Sequence, residues 1–179
     1  TALGLAENFF LVTDPSQADV LVLNGDISDP AVVAAQIEQG AGLVLFLGPD
    51  LTAAEIEITT GIPVTLAARS DAISLTELAV DDPLTTDIIW NSSPQVRERS
   101  NLLTPISSVQ PLVTAYEDGE WVLWSARPNI FIFNAYLTDE YNPQIQNWAY
   151  FNYMVYHLVE RAAGRTPLSF AEYPASPVP

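Results

Sequence analysis

The sequence predicts an α/β fold: a three-layer α/β/α sandwich with a mainly parallel central sheet extended by an antiparallel meander. Three observations carry this. Leu43-Val44-Leu45-Phe46-Leu47 is an unbroken run of large apolar residues held between Gly42 and Gly48, the pattern of a short strand buried on both faces. On either side of it, strand-like and helix-like stretches alternate with short connections, as in a parallel sheet covered by helices. In the second half, strand-like runs are joined by turn residues, Asp118-Gly119 foremost among them, a strong hairpin signal.

Residues 2–10 are read as a short opening helix and Phe9-Phe10-Leu11-Val12 as a strand ending at Asp14-Pro15. Asp19 to Leu23 is a second buried strand that runs out into Asn24-Gly25-Asp26. Asp29 is placed to cap a helix with Pro30 at its first position; Val33 and Ile37 mark its buried face and Gly40 its end. After the central strand a helix is expected from Leu51 to about Thr59, with Leu51, Ala54 and Ile58 inward. Asp50 is one candidate cap, and Thr52 with Glu55 has capping-box spacing and offers another.

Val64 to Ala68 and Ile73 to Leu75 read as short strands, Asp81-Asp82-Pro83-Leu84-Thr85 as a turn or a single helical turn, and residues 91–105 as a long loop. The meander runs through Leu112–Tyr116, Trp121–Ser125 and Ile130–Asn134. A final helix is capped by Asn142, opens with Pro143 and ends at Gly164. Its apolar stripe is Ile145, Trp148, Phe151, Val155, Leu158 and Ala162. Residues 1–166 form one domain on this reading, and 167–179 a Pro-rich, extended C-terminal linker. No span of about 18 apolar residues crosses a membrane here. The start at Thr1 and the Pro-rich end suggest a segment of a longer chain.

Composition narrows the chemistry. The net charge is −16, and no basic residue precedes Arg69, so nucleic acid and anionic lipid are poor partners. All six basic residues are Arg and there is no Lys, which removes a phosphate-loop lysine and a Schiff base. With no Cys there is no thiol nucleophile, thiolate zinc site or disulfide. The lack of Cys suits an extracytoplasmic setting. No cofactor or metal is expected.

Two sets of candidate site residues stand out. Asn24 and Asp26, with Gly48 and Asp50, should emerge together at the ends of neighbouring parallel strands, where doubly wound folds bind ligands. Two carboxylates there suit a cation or a sugar; the competing reading is a helix cap and a turn. On a helical wheel His157 falls on the outer face of the last helix, alongside Tyr150 and Tyr153. That patch suits a protein partner, another domain of the same longer chain, or a second copy. Glu117-Asp118-Gly119-Glu120 and Asp139-Glu140 read as solvated turns rather than calcium loops, lacking EF-hand spacing. Trp90, Trp121, Trp124 and Trp148 read as core rather than as rings that stack on sugars.

The helix-flanked strands, the Gly-Ala-Gly approach to a buried strand, the Asp82-Pro83-Leu84 turn, the late meander and the closing amphipathic helix together resemble the class I glutamine amidotransferase-like fold, over roughly residues 8–163. Catalytic members of that family carry a Cys on a Gly-x-Cys-x-Gly elbow after the central strand, served by a late His and Glu. The corresponding turn here is Leu47-Gly48-Pro49-Asp50, and no His-x-Glu pattern surrounds His157. No catalytic residue carries over. The resemblance implies a non-catalytic branch, found as accessory modules in larger membrane-attached bacterial proteins, and the Tyr173–Pro179 run resembles the stalk before a membrane anchor. The alternative is a carboxylate-based hydrolase or sugar-processing enzyme using Asp26 and Asp50.

Overall fold

The computed structural model describes residues 9–78, 82–103, 109–138 and 140–166. The expected opening helix and the C-terminal linker lie outside them, apart from Phe9 and Phe10, which are irregular. The chain forms an α/β fold around a mixed six-stranded sheet. In chain order the regular elements are β1 (Val20–Asn24), α1 (Pro30–Glu38), β2 (Gly42–Phe46), α2 (Ala53–Thr60), β3 (Leu66–Arg69) and β4 (Leu75–Glu77). There follow α3 (Pro83–Thr86), β5 (Arg99–Leu102), β6 (Gln110–Ala115), β7 (Trp121–Arg127), β8 (Ile130–Phe133), α4 (Pro143–Gln146) and α5 (Phe151–Ala162).

The sheet order is β1-β2-β8-β7-β6-β4. The sheet is mixed rather than mainly parallel as expected: only β1, β2 and β8 form a continuous parallel set, with Leu21 opposite Leu43 and Leu45 opposite Ile132. From β8 outward every neighbouring pair is antiparallel. The last strand of the meander thus returns to the heart of the sheet and completes its parallel part.

All five residues of β2 are buried. Its side chains alternate between two apolar clusters, as the pleat requires. Leu43, Leu45 and Leu47 join Ile130 and Ile132 of β8, Ile37 of α1 and Ile56 of α2. Val44 and Phe46 join Phe131 and Phe133 with Met154, Val155 and Leu158 of α5. Gly42 is required where α5 crosses β2: a Cβ there would lie 2.2 Å from the Ala162 carbonyl oxygen.

Local chemistry explains the helix starts. The Asp29 carboxylate accepts from the amides of Ala31 and Val32, both at 3.1 Å, ahead of Pro30. For α2 the cap is Thr52, not Asp50: Glu55 N–H donates to the Thr52 hydroxyl, and the Glu55 carboxylate accepts from Thr52 N–H at 2.8 Å. Satisfying donors in both directions favours this start. The buried face differs from the expected one: Ile56 and Thr59 face inward with Leu51, while Ala54 and Ile58 are exposed.

Several expectations are corrected. Phe9–Val12 is not a strand; it is irregular, with Phe9 edge-on to Tyr156 at 5.6 Å. The long loop contains a strand, β5, paired with β3 in a separate two-stranded sheet. The final helix is two helices. Asn142 is left-handed (φ 47°) and makes no side-chain cap; its side chain instead takes Arg97 N–H at 2.8 Å and donates to the carbonyls of Glu98 and Tyr136. No helix among the described residues is long and apolar enough to cross a membrane.

Candidate functional site

The carboxyl ends of β1 and β2 place Asn24, Asp26, Gly48 and Asp50 at one end of the parallel strands, as the sequence anticipates. What holds them there is backbone. Gly25, at φ 80°, donates its N–H to the Phe46 carbonyl at 2.9 Å. Gly48 lies directly against it: a Cβ on Gly48 would sit 2.4 Å from the Gly25 oxygen and 2.5 Å from its Cα. The two turns therefore pack main chain to main chain, and this is why position 48 is glycine. Leu47 N–H continues the ladder to Phe133 O at 2.9 Å.

The side chains have separate employments. Asn24 Nδ2 donates to the Leu137 carbonyl at 2.8 Å, tying the end of β1 to the chain that follows β8. Asp26 is exposed and accepts from the Ser28 hydroxyl at 3.2 Å. Asp50 is exposed too, and the cap of α2 is Thr52 in its place. Neither carboxylate has the desolvated setting in which a carboxyl group becomes a general acid.

Sequence reasoning missed Tyr141 and its surroundings. Its ring meets Tyr136 edge-on, with centroids 5.7 Å apart, and the Tyr136 hydroxyl pairs with Ser100 Oγ at 2.8 Å. The Tyr141 phenol is held above its usual range, first by the charge of Glu140, then by burial and by Asp50 and Glu98. Negative charge from separate loops thus gathers at this end of the sheet. The available signal was Asn142-Pro143: asparagine tolerates a left-handed backbone, and that turn carries Tyr141 inward. Even so, among the described residues no group of three or more His, Asp or Glu is placed to hold a metal ion.

The expected partner patch on the last helix is corrected. His157 is fully buried, its ring 4.1 Å from that of Tyr153 and 5.7 Å from that of Tyr156. Tyr153 is buried too, and its hydroxyl donates to Asp87 Oδ2 at 2.7 Å. Burial, followed by the bond to and charge of Asp87, pushes this phenol far above its ordinary range. Only Tyr150 stays partly open, against Trp148. The wheel separates the sheet-facing side of α5 from its opposite, but the opposite side is also covered. Asp82 and Asp87 flank α3, and Asp82 receives Arg161 of α5 at 2.6 and 2.8 Å.

The acidic turn after β6 is only partly solvated, because Glu120 is buried and paired with Arg99. Asp139 lies outside the described residues. Trp90, Trp124 and Trp148 are core, each with its indole N–H bonded, while Trp121 is half-buried.

No protein-family model matches the sequence, and no curated protein matches it significantly. Solved structures resemble it in fold. A ThuA-like protein from Bacteroides uniformis superposes with a TM-score of 0.56 at 14% identity, over 84% of this chain and 75% of that one. The protein SMU.1228c gives 0.55 at 12% identity, over 90% and 86%. A GMP synthase component from Thermoplasma acidophilum gives 0.49 at 11%, over 82% and 73%.

Proposed function

We propose that this chain is a glutamine amidotransferase-like domain of three-layer build, acting as a non-catalytic binding or scaffolding module of a larger, membrane-attached bacterial protein. The observation that supports it is the closed turn after β2. Gly48 is packed on the backbone of Gly25, and Pro49 and Asp50 follow, so the turn where such folds carry a nucleophile holds no Cys, Ser or Lys. Asp26 and Asp50 lie open to solvent, with no third ligand to form a metal site among the described residues. The fold is kept, and the machinery for acyl transfer is not.

The test is turnover. The purified chain is assayed on activated esters, phosphate esters, aryl glycosides and glutamine, with and without magnesium or calcium. The expected result is no rate above the protein-free background. Turnover that is lost in Asp26→Asn or Asp50→Asn, with folding intact, would overturn the proposal and establish the carboxylate enzyme instead.

A further inference from the structure

A second feature lies along the side of β1 rather than at its tip. Among the described residues β1 is the last strand of the sheet and pairs only with β2. An unpaired strand edge is a template for another strand, and proteins usually blunt it with lysine, proline or a bulge. β1 reads Val-Leu-Val-Leu-Asn, with none of these guards.

Beside this edge runs a groove of about 630 Å³, walled by β1, by Val32 and Val33 of α1 and by Phe10–Val12. Phe10 is 87% exposed, Leu11 68%, Val32 52%, Val12 45% and Val22 39%. These are half of the large apolar side chains that stand exposed among the described residues, gathered on one groove instead of scattered singly. Contiguity of this kind marks an interaction surface.

Charge selects the occupant. Asp19 and Asp29 lie in the groove lining, and exposed Asp26 lies just past the end of β1. The cation in the lining, Arg165, already faces Asp19 at 3.8 Å and Glu160 at 3.6 Å. A second copy pairing edge to edge would set these aspartates against their own images, with −16 on each chain, which opposes association.

We infer that the β1 edge is a docking groove for an extended strand of another protein, one that alternates apolar residues with lysine or arginine. Backbone hydrogen bonds along β1 supply affinity, the apolar positions fill the groove, and the basic positions meet Asp29 and Asp26, with Asp19 shared with Arg165. Docking at this edge is independent of the closed turn and stands whether or not turnover is found there.

The probe is a blocked heptapeptide alternating valine with lysine, compared with its glutamate-for-lysine counterpart, titrated into the full isotope-labelled chain. The lysine peptide should shift the amides of Val20–Asn24, weaken with added salt, and bind at least about tenfold tighter than the glutamate peptide. Val22→Lys and, as a second variant on the helix wall, Val32→Lys should each weaken it at least about tenfold while leaving the circular dichroism unchanged. Four outcomes would overturn the inference: equal binding of the two peptides, shifts confined to the Asp26 and Asp50 end, self-association that protects the β1 amides, or amides already protected in the free chain by residues 1–8.

Discussion

Removing the carboxylate of Glu120 should be among the most damaging single changes in this chain. Arg99 is 1% exposed, and its five N–H donors are all used. Nε and Nη2 form a two-point pair with Glu120 at 2.9 and 3.0 Å. Nη1 donates to the carbonyls of Asp71 and Arg97, and Nη2 also reaches Asp71 Oδ2 at 3.3 Å. Glu120→Ala strips two of these bonds and leaves a guanidinium charge in the interior. Breaking a buried pair from one side costs about 3–5 kcal/mol. Asp71→Asn is the internal control: that side chain is 67% exposed, so its loss should cost less than about 1 kcal/mol. Replacing both charges, as Arg99→Met with Glu120→Leu, should recover most of the loss and give a coupling of about 2–3 kcal/mol. Urea denaturation of the variants reads all of this. If Glu120→Ala costs no more than Asp71→Asn, the pair is not the clamp described.

Two pH effects follow from the tyrosines. The Tyr153 phenol is raised in the folded state, so the stability it confers is complete below about pH 10, the ordinary phenol value, and is lost as pH rises beyond it. Denaturation followed into alkali should show that slope, and Tyr153→Phe should flatten it. Tyr141 should titrate late because Glu140, burial, Asp50 and Glu98 oppose its phenolate; Asp50→Asn should bring its ring-carbon NMR titration to lower pH, and no change would remove Asp50 from that cluster.

Where structure follows from adjacent residues, the sequence was readable. The run of β2 announces burial on both faces, Asp29-Pro30 announces a helix start, and the Asp-Gly turn announces the hairpin of β6 and β7. The failures are tertiary. β5 reads Arg-Ser-Asn-Leu, too polar to be taken for a strand, because its arginine is buried by a partner 21 residues on. His157 and Tyr153 occupy the side of α5 that a wheel assigns to solvent, and only the packing of other segments around that side covers them. At the candidate site, proximity of the two turns was legible from the parallel order. The main-chain contact between Gly25 and Gly48 was not, since nothing in one glycine names the other.

On that contact the reading of a closed turn depends, and Gly48→Ala tests it. A methyl group there would meet the Gly25 carbonyl oxygen at 2.4 Å, backbone that has no rotamer to yield. The expected loss is about 2–3 kcal/mol in urea denaturation, against less than about 0.5 kcal/mol for the neighbouring exposed change Asp50→Ala. Wild-type stability in Gly48→Ala would contradict it, for the turn would then have the room that a catalytic side chain needs.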